Sequence, residues 1–169
     1  MNIQLGQYAG FCFGVDRAVS MVEEATKAGG TVVTLGPIIH NRHVVDRFQR
    51  MGVEVANSPE EVRPGSTVVL RAHGVPRQVE ETLAGLPVQV VDATCPFVKR
   101  IHRLVQEAEA EGRTPVIIGT RTHPEVVGIA SWCRRGMVFE GPEELERWAA
   151  LPETSPGLPI CLVSQTTLT

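Results

Sequence analysis

At 169 residues, 43% hydrophobic and 21% charged, the chain has enough apolar material for one large domain or two small ones with real cores. A formal charge of −3 with no long basic run excludes a general nucleic-acid binder, and no apolar stretch reaches the roughly 20 residues of a membrane-spanning helix. Four cysteines are too few for a disulfide scaffold and residues 1–10 lack a secretory pattern, so the expected setting is cytoplasmic, with thiols that are reduced or metal-bound.

Residues 2–8 alternate weakly and predict a first strand. The turn Gly10-Phe11-Cys12-Phe13-Gly14 follows, and Val15, Ala18, Val19, Val22 and Ala25 then mark one face of a helix. A second strand over 31–35 closes at Gly36-Pro37. Beyond it Ile39-His40-Asn41-Arg42 leads into a helix with Val44, Val45, Phe48 and Met51 on one side. Residues 53–56 predict a short strand, and Ser58-Pro59-Glu60-Glu61 a one-turn helix with its own cap. The β-branched run 67–70 suits the centre of a parallel sheet. It ends in Arg71-Ala72-His73-Gly74-Val75-Pro76, before a helix to about residue 84.

A short apolar run, 88–91, predicts a buried strand that stops at Asp92-Ala93-Thr94-Cys95-Pro96. Phe97, Val98, Ile101, Leu104, Val105 and Ala108 then give a helical pattern. Cys95 thus falls at a helix amino terminus, as Cys12 does, where unpaired N–H groups and the helix dipole favour the thiolate. A lone cysteine there is most often a small buried hydrophobe; two at equivalent places argue for chemistry. The pattern continues with a strand over 115–118, the turn Gly119 to Glu125 and a helix to about 132. A strand over 137–140, a helix over 142–151, a proline-rich loop over 152–159 and a last strand over 160–163 complete it. Strict alternation predicts an α/β fold with mainly parallel sheets, read as two similar small units over 1–93 and 94–169.

In open parallel sheets ligands bind beyond the strand carboxyl ends, and the residues placed there are Cys12, His40, His73, Cys95, His123, Glu125 and Thr166. Three histidines in equivalent turns, able to carry charge and donate from both ring nitrogens, suit a phosphate or diphosphate. Glu125, after Pro124, reads by itself as a helix-dipole partner, and beside a redox or acid-labile centre the same carboxyl could act as a general acid. Cys133, at a helix end, and Cys161, inside an apolar strand, read as structural. No Walker loop, G-x-G-x-x-G or compact C-x2-C run is present. Two isolated thiols on separate turns fit a cluster held between units better than a local zinc knuckle. A zinc-dependent hydrolase of a phosphorylated substrate and a non-catalytic diphosphate-binding module remain open from the residues alone.

Six stretches in order carry a resemblance: Gly10-Phe11-Cys12-Phe13-Gly14-Val15-Asp16-Arg17-Ala18, Ile39-His40-Asn41-Arg42, Ala72-His73-Gly74-Val75, Asp92-Ala93-Thr94-Cys95-Pro96, His123-Pro124-Glu125 and Ser164-Gln165-Thr166-Thr167-Leu168. Together they closely resemble the 4-hydroxy-3-methylbut-2-enyl diphosphate reductase family, iron–sulfur enzymes of the last step of non-mevalonate isoprenoid synthesis. The resemblance implies reductive dehydroxylation to isopentenyl and dimethylallyl diphosphates, with electrons from ferredoxin or flavodoxin. It also implies a [4Fe-4S] cluster with Cys12 and Cys95 among its ligands, diphosphate contacts from His40, His73 and His123, a proton donor in Glu125 and a substrate contact in Thr166. The family is a three-unit, trefoil-like α/β protein. This chain is expected to hold two of the units, without the third cysteine and a Ser-x-Asn group, and so to grip a cluster weakly by itself.

Overall fold

The computed structural model describes every residue except 1, 5, 8, 153, 155, 156 and 169. Its helices are α1 (Phe13–Ala28), α2 (Arg42–Arg50), α3 (Arg77–Ala84), α4 (Pro96–Ala110), α5 (Pro124–Ser131) and α6 (Pro142–Ala149). Its strands are β1 (Val32–Leu35), β2 (Glu54–Ala56), β3 (Thr67–Leu70), β4 (Gln89–Asp92), β5 (Thr114–Ile118), β6 (Met137–Phe139) and β7 (Ile160–Ser164), with a 3-10 turn at Pro59–Glu61. They form two sheets, one ordered β2-β1-β3-β4 and one ordered β6-β5-β7, and every pairing is parallel. The α/β class with parallel sheets is therefore as the alternation of elements predicts. Among the described residues no helix is long and apolar enough to cross a membrane.

The first sheet is apolar on both faces because its strands alternate. Val32, Val69 and Val91 meet Ala18, Val22 and Phe48 on one side. Val33, Leu35, Val68 and Leu70 meet Val75 and Leu83 on the other. The helical periodicity read in α1 is the one that packs, since Ala18, Val19 and Val22 are buried. In the second sheet a smaller cluster of Val105, Ile117, Val126, Ile129 and Val163 joins α4 and α5 to β5 and β7. On β7 the outward residues Ile160 and Leu162 stay exposed.

Three expectations need correction. Residues 2–4, 6 and 7 carry no strand, and Leu5 and Tyr8 of that expected strand lie outside the described residues. The strand before Cys95 is not buried: β4 is the edge of its sheet, and Val90 is 41% exposed. An apolar run of that length does not distinguish a central strand from an edge. Ser58 occupies its expected cap position but makes no side-chain cap; Glu61 instead accepts from Asn57 N–H at 2.8 Å. The proline-rich loop lies partly outside the described residues.

The edge and interior strands differ in consequence. Leu70→Ala, at a 2% exposed position, is expected to cost about 2–5 kcal/mol in urea unfolding. Val90→Ala on the edge is expected to cost about 0.5 kcal/mol. Equal losses would mean that β4 is covered.

Candidate functional site

The turns at the carboxyl ends of β1, β3 and β4 are laced together by a ladder that outruns the sheet. Ala72 N–H donates to Ile38 C=O at 3.1 Å, and Cys95 N–H donates to Ala72 C=O at 2.9 Å. This sets His40, His73 and Cys95 on adjoining turns. Arg17 of α1 donates to the carbonyls of Asp92 and Thr94, and the Asp92 carboxylate accepts from Thr94 N–H and pairs with Lys99. Gly74, at φ +75°, gives the left-handed turn after His73, and its carbonyl accepts from Arg71 Nε at 2.9 Å.

His123 caps α5 from the second sheet: its Nδ1 accepts from Glu125 N–H at 3.2 Å, which leaves the proton of the neutral ring on Nε2. The three imidazoles then converge, with ring centroids 4.4 Å apart for His40–His73 and 5.5 Å for each pair with His123. One nitrogen from each lies within 4.8 Å of the others, close enough to grip one oxygen of an anion, or one cation. Burial, and behind it the charges of His40, His123 and Arg71, push His73 down to about 4. Burial also lowers His123, against the opposing pull of Glu125. His73 is thus neutral at pH 7, whereas the residue types alone suggest a cationic cluster. A bound anion supplies the field that lets such rings take up protons.

Beside this cluster Glu125 has no solvent exposure. Its carboxyl accepts from Thr166 N–H at 2.6 Å and from the Thr166 hydroxyl at 2.9 Å, and Thr166 itself is exposed. The carboxyl therefore reaches the surface through one hydroxyl.

Cys12 and Cys95 are the N-caps of α1 and α4, and both are free thiols with no side-chain cap bond. Gly14, two residues after Cys12, packs on Cys95 so closely that a Cβ there would lie 2.5 Å from its Sγ. The two thiols thus belong to one neighbourhood. Unspent sulfurs at helix amino termini are the donor chemistry an iron–sulfur group requires, and these residues fit it. Cys133 does not: its Sγ–H donates to Ala130 C=O, and burial with Glu109 pushes its thiol up to about 11. Cys161 packs against the second core. Both remain structural.

Two residues of the site, and one beside it, were not singled out from sequence. Arg71 lies half-buried by the imidazoles and keeps a permanent charge there even though burial lowers its pKa from the ordinary value. Gln165 is buried, accepting from Thr120 N–H at 3.2 Å and donating to the Thr167 hydroxyl at 2.8 Å. His102, beside the site, lies within α4, where the helical pattern alone marks no role for it. The position of Arg71 directly after a buried strand was the available signal.

The sequence pattern described as LytB protein matches residues 3–169. A 4-hydroxy-3-methylbut-2-enyl diphosphate reductase of Aquifex aeolicus is 43% identical over 150 residues, covering 86% of this chain and 52% of that protein. One of Clostridioides difficile is 36% identical over 170 residues, covering 99% of this chain and 60% of its own length. A solved (E)-4-hydroxy-3-methyl-but-2-enyl diphosphate reductase, described as the terminal enzyme of the non-mevalonate pathway, superposes with a TM-score of 0.82 at 40% identity. It covers 99% of this chain, which covers 59% of it. The E-1-hydroxy-2-methyl-but-2-enyl-4-diphosphate reductase of Plasmodium falciparum gives 0.87 at 28% identity, over 96% of this chain and 50% of that one. The chain spans between about half and three-fifths of the length of these relatives.

The depressed histidines give a sign to the pH dependence. With a folded pKa near 4 against an ordinary 6.5, His73 binds fewer protons folded than unfolded across that interval. Its contribution to stability is full above pH 6.5 and is lost as pH falls towards 4. Thermal melts of the wild type are expected to fall more steeply over this window than those of His73→Asn, which cannot titrate. Parallel curves would mean an ordinary, solvated ring.

Proposed function

The chain belongs to the LytB protein family, and from that premise we propose that it forms two of the three units of a 4-hydroxy-3-methylbut-2-enyl diphosphate reductase. The division falls near residues 93 and 94, between the first sheet and α4, which packs on α5, β5 and β7. The observation that carries the reading is the convergence of His40, His73 and His123 beside Arg71 and the Glu125–Thr166 pair. Such a pocket matches a diphosphate at one end and a hydroxyl that must leave at the other.

The reaction replaces a carbon–oxygen bond by a carbon–hydrogen bond, consuming two electrons and two protons and releasing water. The three imidazoles and Arg71 hold the diphosphate, with the His123 Nε2–H and the guanidinium among the donors that fix its orientation. Thr166 receives the substrate's hydroxyl end, and its own hydroxyl connects that end to Glu125. Glu125, enclosed and away from bulk water, is placed to pass a proton through the Thr166 hydroxyl to the departing oxygen. Cys12 and Cys95 are the residues that would hold a [4Fe-4S] cluster. When bound, the cluster supplies the reducing electrons, drawn from ferredoxin or flavodoxin in a cytoplasmic setting.

A zinc hydrolase is the second reading, favoured only by the closeness of the imidazole nitrogens. Anaerobic reconstitution with metal and sulfide analysis separates the two, since stoichiometric zinc without iron or sulfide would support the hydrolase.

Inorganic pyrophosphate titrated calorimetrically tests the anion pocket. Binding is expected to strengthen as pH falls from 8 to 6, by up to about tenfold per pH unit for each proton taken up. His73→Asn is expected to remove part of that dependence. A wild-type affinity with the same pH profile as the variant would defeat the reading. Within a complete reductase carrying these residues, Glu125→Gln keeps the shape and removes the transferable proton. The rate is expected to fall by about 10²–10⁴-fold. A helix-end role alone would instead cost about 0.3–1 kcal/mol in a thermal melt and spare the rate.

A further inference from the structure

His102 takes no part in the site as described above. It lies on α4, 5% exposed, and among the described residues its Nε2 has no hydrogen-bond partner. An unpartnered buried polar group costs about 1–3 kcal/mol, and a phenyl ring would fill the same space without that cost. The imidazole stacks on Trp132 with centroids 5.3 Å apart and planes 21° from parallel.

Several of its other neighbours belong to segments that carry the site, and it also lines a cleft with Glu80, Asp92 and Lys99. A Cβ on Gly74 would lie 2.9 Å from His102 Cε1 and 3.2 Å from Thr94 Cγ2. A Cβ on Gly128 would lie 3.6 Å from His102 Nε2, 3.8 Å from the Val75 carbonyl oxygen and 3.9 Å from that of His73. Gly74 follows His73, Thr94 precedes Cys95, and Gly128 sits on α5 close to one helical turn beyond Glu125. One imidazole is therefore wedged where the His73 turn, the Cys95 turn and α5 meet. Burial keeps it neutral, with its pKa pushed down to about 4 while Asp92 and Lys99 pull in opposite directions. Its spare nitrogen faces the same small region as two carbonyl oxygens of the His73 turn.

We propose that His102 is a positioning residue for the three-imidazole pocket. Its ring holds the His73–Gly74 turn against α5, and its Nε2–H is taken up by a carbonyl of that turn when an anion draws the imidazoles together. This rests on reading the pocket as an anion site. It accounts for a histidine at a position where packing alone asks for an apolar ring.

The test uses the whole 169-residue chain, inorganic pyrophosphate and two variants. His102→Phe keeps a ring on Trp132 and removes both the donor and its cost, so it is expected to melt at or above the wild-type temperature. Its pyrophosphate affinity is expected to be about tenfold weaker, within the range by which residues touching neither ligand alter binding. The ring-proton cross-relaxation between His40 and His73 is expected to weaken with it. His102→Gln, which keeps an N–H donor, is expected to recover affinity. Wild-type affinity with unchanged cross-relaxation in His102→Phe would overturn the proposal. So would a variant that melts far below the wild type, since the residue would then be a core filler. If the wild type binds no pyrophosphate, weakened cross-relaxation in His102→Phe keeps the positioning role while the anion reading falls; unchanged cross-relaxation removes both.

Discussion

The contact between Glu125 and Thr166 ties α5 to the second sheet. A carboxyl with no solvent exposure is tolerable only when its oxygens are satisfied, and both are, by the backbone N–H and the hydroxyl of one residue. Glu125 opens α5 and Thr166 follows β7, so the pair ties the start of a helix to the end of a strand on the far side of β5. Gln165 adds a bond to Thr120 on the β5 turn. The placement of His123 depends on the same helix start, because its ring is the cap of α5. Loss of the Thr166 donors would leave a buried carboxyl unpaired and loosen the side of the pocket that the second sheet supplies.

The first sheet contributes by a different device. Its backbone pairing continues past the strands as the Ile38–Ala72–Cys95 ladder, so the turns bearing His40, His73 and Cys95 inherit the spacing of the strands below them. Side chains set on such a ladder need few contacts of their own. This is consistent with the exposure of His40 and Cys12 beside the burial of the carboxyl and of His102. Rigidity comes from the backbone in one half and from buried polar pairs in the other.

Much of this was legible in the sequence, for a physical reason. Alternating strands and helices force polar turns to the strand ends, so cysteines and histidines in those turns could be assigned to one side of the sheets before any coordinates. What stayed hidden depends on distant partners. Nothing local marks Gln165 as the mate of Thr120, or β4 as an edge strand. The neutrality of His73 follows from rings that meet only after folding, so the charge suggested by its residue type was misleading. His102 looked like an ordinary helical position because its contacts, Gly74 and Gly128, carry no side chain to betray them.

The strand order has a consequence for how the chain is built. All four strands of the first sheet lie between residues 32 and 92, so that sheet closes from local crossovers alone. The second sheet closes by crossovers of the same kind but later in the chain: its central strand, β5, pairs with β6 and then with β7. During synthesis from the amino terminus the pocket therefore matures in two stages. His40 and His73 come together early on a finished sheet, whereas the hydroxyl that meets Glu125 arrives only after residue 164. A chain interrupted between the two stages keeps the His40–His73 half and leaves a bare carboxyl at the other.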